Sequence, residues 1–224
     1  MVPFSFANQE WHLLRSGALY WERERALLVA DLHLEKASFF ARFGQMLPPY
    51  DSRETLERLA MAIRETGARR VFCLGDSFHD VAGAERLEPY AAGMLAALTR
   101  ATDWVWITGN HDEGVRPAEG GTLADEVAVG GMILRHRAQC GEGGIELSGH
   151  YHPKLRLSVR GRHIVRACAV ASETRLVLPA FGALTGGMDA ADPAIIAALQ
   201  PARRIRALVA TREKLVEYPL WAAA

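Results

Sequence analysis

Five short segments of this 224-residue chain end in side chains that can hold metal ions. Asp31 and His33 stand in VADLH, Asp76 and His79 in LGDSFH, Asn110, His111 and Asp112 in ITGNHD, His136 in LRH, and His150 and His152 in LSGHYH. Each set lies just beyond an apolar run with strand character, where neighbouring strands bring side chains to one edge of a sheet. Asp31 and His33 are two apart, so in extended backbone they point the same way and can grip one ion; His150 and His152 repeat that spacing. Asp76 follows Gly75, which lets the chain turn sharply, and its two carboxylate oxygens can bridge two cations. Asn110 supplies a neutral oxygen and His136 another imidazole.

Taken singly, any of these histidines would read as an ordinary surface or packed residue. Six of the chain's eight histidines nevertheless follow strand-like segments beside glycine or aspartate, and chance does not produce that ordered set. Oxygen and nitrogen donors without thiolate suit manganese, iron or zinc better than magnesium or calcium, with manganese or iron preferred. Two such cations roughly 3.5–4 Å apart clamp phosphate oxygens and lower the pKa of a bridging water, so that hydroxide is present near neutral pH for in-line attack.

His111 follows Asn110 directly and so points away from the same ion. This leaves it free to meet a leaving-group or phosphate oxygen as general acid or transition-state stabiliser. Asp112 is expected to accept a hydrogen bond from the His111 ring and fix its tautomer, and His79 to contact metal-bound water or substrate. His12 and His163, in strand-like segments away from acidic partners, read as structural. Trp104 and Trp106 alternate on a strand and read as core, with a base-stacking platform as the alternative.

The elements that must carry these residues can be read in order. Trp11 to Glu22 and Ala26 to Ala30 are extended, the second a continuous apolar run suited to a strand covered on both faces. From Asp51 a helix begins, capped by Asp51 or Ser52, with Leu56, Leu59, Ala60 and Ile63 at helical spacing and Gly67 as its stop. Arg70 to Leu74 is a strand, Ala84 to Ala101 a helix despite Pro89, and Trp104 to Thr108 a third strand. This is an α/β order with a parallel sheet and helices packed on it. Beyond Gly120 come short strands, Met132 to Leu134, Ile145 to Ser148, Leu155 to Val159 and Ile164 to Ala169, which point to a second, more antiparallel sheet. A short helix at 193–200 and a hairpin from Arg204 to Tyr218, turning near Arg212 and Glu213, complete the chain. With no linker or repeat, residues 1–224 are expected to form a single domain.

Bulk composition narrows the class. The formal net charge is zero, which argues against a generic nucleic-acid sponge, and 50% hydrophobic with 23% charged residues is ordinary for a globular chain. Cys73, Cys140 and Cys168 lack a CxxC spacing and read as reduced thiols. The N-terminus lacks a basic segment followed by an apolar one, and no run approaches the roughly 18 apolar residues of a membrane helix. A cytoplasmic location is the expectation.

The ordered motifs DxH, GDxxH, GNHD, a lone His and GHxH, from Asp31 to His152, resemble those of the calcineurin-like metallophosphoesterases. The resemblance implies a four-layer α/β/β/α sandwich with two mixed sheets and a dinuclear centre. One ion would be held by Asp31, His33, Asp76 and His152, the other by Asp76, Asn110, His136 and His150. VADLHLEKA, LGDSFHD, SGHYHP and LPAFGALTGG are further similar to bacterial ligase-associated DNA-damage-response phosphoesterases or endonucleases, over roughly residues 10–218. In that group a glycine is expected where Glu35 stands. This narrower resemblance implies a manganese-dependent phosphodiesterase acting on nucleic acid, single-stranded DNA for example, in repair, with DNA ligase or helicase partners. Lys36, Arg42, Arg135, Arg137, Lys154 and Arg156 flank the motifs and can form a phosphate-tracking rim or be plain solvated charges. Two other readings stay open: a phosphomonoesterase or hydrolase of a nucleotide-linked small molecule, and a non-catalytic scaffold of the same fold. The scaffold would be marked by missing ligands, and here every position holds a competent residue.

Overall fold

The structure, a computed structural model, describes residues 1–112, 120–141 and 143–223. The first half builds a seven-stranded mixed sheet from β1 (Val2–Phe6), β2 (Gln9–Leu13), β3 (Leu19–Trp21), β4 (Ala26–Val29), β5 (Arg70–Leu74), β6 (Asp103–Ile107) and β7 (Thr122–Ala124), in that spatial order. Strands β1 to β4 pair antiparallel, and β4 to β7 parallel. Helices α1 (Lys36–Ala41), α2 (Asp51–Thr66), α3 (Gly83–Arg86) and α4 (Pro89–Ala101) fall between these strands. The second half contributes β8 (Glu126–Val129), β9 (Met132–Arg135), β10 (Ile145–Ser148), a hairpin of β11 (Lys154–Val159) and β12 (Arg162–Ala167), then β13 (Ala169–Ala171), β14 (Arg175–Val177), α5 (Pro193–Ala198), β15 (Arg204–Ala210) and β16 (Leu215–Ala222). Its main sheet runs β16-β15-β13-β14-β10-β9-β8 and is also mixed, since β10 pairs parallel with both β9 and β14.

Period-two alternation of apolar side chains decides the layers. In β4, Leu27 and Val29 face α2 and α4, while Ala26 and Leu28 face the second sheet; Val71 and Cys73 against Phe72 and Leu74, and Trp104 and Trp106 against Val105 and Ile107, repeat the division. The second sheet answers with Leu134, Leu147, Ala169, Ala171 and Leu176 in the shared core, and sends Val170, Val177, Ile205 and Ala207 to the far side, against α5. The result is helices, sheet, sheet, helix: the expected α/β/β/α sandwich. Each large side chain sealed between the layers contributes about 1.5–3 kcal/mol. Trp104 and Trp106 are buried among the helices, so they form no base-stacking platform.

Several boundaries differ from the sequence reading. The stretch Trp11 to Glu22 is two antiparallel strands, β2 and β3, because Gly17, at φ 95°, turns the chain between them. The helix expected from Ala84 to Ala101 breaks at Leu87 and Glu88. Proline disfavours helical backbone in the residue before it, and Glu88 is extended (φ −65°, ψ 153°). Pro89 then opens α4, with the Glu88 carboxylate accepting from the Tyr90 and Ala91 N–H groups. Leu155 to Ala167 does not join the second sheet: β11 and β12 form a separate two-stranded sheet, with one further parallel bridge from Lys154 to Asp189. The hairpin of β15 and β16 stands as expected, and Gly67 ends α2 in the left-handed conformation (φ 65°).

Candidate metal centre

The ends of β4, β5, β6, β9 and β10 converge on one edge shared by the two sheets, and the side chains just beyond them form two adjoining donor clusters. Asp31, His33 and His152 make the first; Asp76, His136 and His150 make the second. His152 Nε2 lies 3.3 Å from Asp31 Oδ1 and 3.3 Å from His33 Nε2. His136 Nε2 lies 3.0 Å from both Asn110 Oδ1 and His150 Nδ1. Asp76 stands between the clusters, with Oδ2 3.8 Å from His33 Nε2 and Oδ1 3.5 Å from His136 Nε2. One carboxylate thus presents an oxygen to each side.

The residues fit a pair of cations. His136 donates Nδ1–H to Leu74 O (3.0 Å), which turns its Nε2 toward the Asn110 oxygen, His150 Nδ1 and a carboxylate oxygen. Imidazole nitrogens, an amide oxygen and a carboxylate oxygen converging on one point make a donor set that suits a divalent cation. On the other side, His33 Nδ1 is buried without a partner. Burial, then the charge of His152, drives the His33 imidazole down to about 2, and burial and His136 lower His150 as well. Both rings therefore stay neutral near pH 7, the form that can ligate a metal.

The backbone that presents these residues is not the extended chain assumed from spacing. Asp31 (φ 54°), His33 (φ 44°), Glu35 (φ 65°), Asp76 (φ 48°), His150 (φ 74°) and His152 (φ 48°) are all left-handed. Such residues cost roughly 1–3 kcal/mol each and persist where surrounding structure over-determines them. Here cross-loop bonds do so: Asp31 N–H donates to Gly75 O, His33 N–H to Asp76 O, and His150 N–H to both Asp31 oxygens (3.1 and 2.9 Å). A consequence corrects the spacing argument: His150 and His152 do not grip one ion together but face different clusters, as the family resemblance implies.

Glycines let the loops close. A methyl group on Gly75 would overlap the His136 ring, one on Gly109 would overlap Asp76 N and Oδ1, and one on Gly149 would lie 2.6 Å from Asp31 Oδ2. Glu35, where a glycine is expected, takes the left-handed conformation that glycine adopts readily (φ 65°, ψ 26°). Its carboxylate is buried and accepts from Ser52 Oγ (2.7 Å), which in turn accepts from the Glu35 N–H (2.8 Å). Asp51 Oδ2 likewise accepts from Ala37 N–H (3.0 Å). Asp51 and Ser52 thus anchor the α1 loop instead of capping α2, whose N-cap position is Tyr50.

Around the clusters, His33, His79 and His111 bring nitrogens together within 4.8 Å of one another. The His111 and His79 rings stack with centroids 5.3 Å apart, and His111 Nδ1 donates to His79 O (2.8 Å), which leaves Nε2 available. Asp112 does not meet the His111 ring, contrary to expectation. Its buried carboxylate accepts from the backbone N–H groups of Ser77 (3.0 and 3.1 Å), Phe78 (3.2 Å) and Gly109 (3.1 Å), tying the loop after β5 to the loop after β6. His12 also departs from expectation: its Nε2 lies 3.4 Å from Glu22 and 3.5 Å from Glu10, so acidic partners stand beside it.

The proposed basic rim survives only in part. Arg135 is buried and paired with Glu126 (2.9 Å), and Lys154 Nζ donates to Thr185 O (3.1 Å). Arg137 is exposed at a cleft of about 530 Å³ lined also by Asn110, His136 and His150. The segment LPAFGALTGG, without ligands of its own, proves to be a strap behind the site. Phe181 N–H donates to Ala30 O, Gly182 N–H to Asp31 O (3.1 Å), and Ala183 N–H to Thr55 Oγ1. Gly182 and Gly187 lie so close to Leu32 O and His152 O that neither tolerates a side chain. Its glycines were the only signal of this role.

Fold and site together define a metal-dependent phosphoesterase. The chain belongs to the calcineurin-like phosphoesterase family, which it matches over residues 24–161. Among solved structures it is similar to the nuclease MPE of Pseudomonas putida, with a TM-score of 0.74 and 28% identity over 97% of this chain and 98% of that one. Yfce, a phosphoesterase from E. coli, aligns at a TM-score of 0.40 and 12% identity over 88% of this chain and 99% of the other, too distant to argue from. No curated protein matches the sequence. Cys73, Cys140 and Cys168 are free, and among the described residues no helix is long and apolar enough to cross a membrane.

Proposed function

We propose that this protein is a two-metal phosphodiesterase that hydrolyses nucleic acid, with single-stranded DNA as its preferred substrate, in cytoplasmic DNA repair. The observation that carries the two-metal reading is the position of Asp76, one oxygen toward His33 and the other toward His136. In this reading Asp31, His33, Asp76 and His152 hold one cation, and Asp76, Asn110, His136 and His150 the other. The donor set suits manganese, with iron or zinc as alternatives. Bound cations would neutralise phosphate oxygens and supply a water of lowered pKa.

His111 presents Nε2 toward the scissile phosphate and acts as general acid or as a donor to charge developing on phosphate oxygen. His79 holds His111 in that tautomer through its carbonyl oxygen, while its own ring faces the substrate side. Asp112 fixes the loops carrying Asp76 and Asn110. Likeness to a nuclease across nearly the whole chain supports the nucleic-acid substrate, and ligase or helicase partners would follow from the narrower resemblance.

The test is metal-stripped protein resupplied with manganese, iron, zinc or magnesium and offered single-stranded DNA, duplex DNA and cyclic nucleotides, beside bis-aryl and mono-aryl phosphates. Turnover of the mono-aryl ester alone would replace the diesterase reading with a phosphomonoesterase.

A further inference from the structure

On one side the histidines of the metal centre continue into three phenylalanine rings, Phe39, Phe40 and Phe43, that none of the proposed roles uses. From His33 a ladder of aromatic contacts runs outward: His33 to His111 at 5.1 Å between centroids, His111 to His79 at 5.3 Å, His79 to Phe39 at 4.8 Å and to Phe40 at 5.4 Å, and Phe39 to Phe43 at 5.2 Å. Its outer end lies open, with Phe43 68% exposed, and Met46 at 84% and Tyr50 at 67% extend the apolar surface along the same loop. Exposed apolar clusters of this kind are uncommon on a chain with an ordinary surface and mark sites of contact.

Two cations bracket the rings on the same short element. Lys36 opens α1 half-buried, makes no ion pair among the described residues, and is near enough to His33 and His79 for its charge to oppose their protonation. Arg42, at the other end, has Nη1 3.9 Å from Asp80 and is otherwise open to solvent. Rings flanked by cations and joined to a phosphoesterase centre match a nucleotide in both parts: a flat base and an anionic phosphate. A duplex hides its base faces in its own stack, so only an unpaired base can use such a surface.

We propose that α1 and the loop after it form a stacking platform for single-stranded nucleic acid, in which a base flanking the scissile phosphate lies on Phe40 and Phe43 while Lys36 and Arg42 hold the adjoining phosphates. The proposal rests on the nuclease reading above and adds to it the residues that select single strands.

The experiment uses the manganese-loaded full chain and the paired substitution Phe40→Ala with Phe43→Ala. The KM for a single-stranded oligonucleotide should rise about tenfold or more, with kcat held within about twofold, because a stacked base loses its ring partner. An oligonucleotide with abasic residues beside the cleavage site should cost the wild type the same factor and the paired variant nothing further. Phe43→Trp, which keeps a ring, should retain wild-type KM and guards against a folding defect in the alanine pair. Equal KM for wild type and the paired variant, or an equal loss on normal and abasic strands, overturns the platform alone. Wild type that turns over bis(4-nitrophenyl) phosphate but cuts no oligonucleotide removes the nuclease reading and the platform with it.

Discussion

Replacing Asp112 with asparagine separates two roles that the sequence and the structure assign to it. The spacing in GNHD suggests a partner for the His111 ring; the structure makes Asp112 a tie between loops. Its two oxygens take backbone N–H groups from Ser77, Phe78 and Gly109. In Asp112→Asn one oxygen becomes an amide donor and must face at least one of those N–H groups, so a charge-assisted bond worth about 1.5–3 kcal/mol is lost and a buried donor is left without a partner. Part of this is offset, since burial raises the Asp112 carboxyl above its usual range while the backbone N–H groups and the nearby Asp76 charge act against each other. The net cost is about 2 kcal/mol, which for a chain of this size lowers Tm by about 4–8 °C. Because the tie sets Asp76 against Asn110, manganese affinity should fall about 10- to 100-fold, the range found when groups supporting metal ligands are removed. Calorimetric unfolding of the stripped protein and titration with manganese measure both. An unchanged Tm and manganese affinity, with turnover alone reduced, would refute the tie and restore Asp112 as the partner of His111.

Asp76→Ala should abolish metal-dependent activity by removing the bridge, whereas His111→Ala should keep its metal and lose about 10²-fold or more in turnover; equal metal loss in both, by elemental analysis, would overturn that division. Gly109→Ala drives a methyl group into Asp76, so manganese affinity should drop about tenfold or more while the far-ultraviolet dichroism stays native. The stripped protein should lose stability as pH falls. The unfolded chain takes protons on histidine below about pH 6.5, but folded His33 resists protonation until about 2 and His79 until about 4, so the unfolded state is favoured by up to about 1.4 kcal/mol per pH unit for His33. Tm measured at pH 7.5, 6.5 and 5.5 should decline in that order, and a flat profile would contradict the burial of His33.

Residue type and local spacing determined a good deal about this protein. Continuous apolar runs such as Ala26 to Val29 and Val71 to Leu74 suit strands covered on both faces, and glycine or aspartate just beyond them marks the strand end. That places candidate donors at strand ends, and the family follows from their order without coordinates. Tertiary structure, and not spacing along the chain, decides which cluster each donor faces. Asp31 and His33 face one cluster while the equally spaced His150 and His152 face two, because left-handed backbone, held by bonds from Gly75, Asp76 and the strap at 178–187, aims each ring independently of its neighbours in sequence. Asp112 turned to backbone donors 34 and 35 residues away, and Asp51 and Ser52 to the α1 loop, for the same reason: a buried polar group bonds to whatever the fold brings within about 3 Å. Spacing along the chain records only what is near in sequence, and a metal centre is assembled from what is near in space.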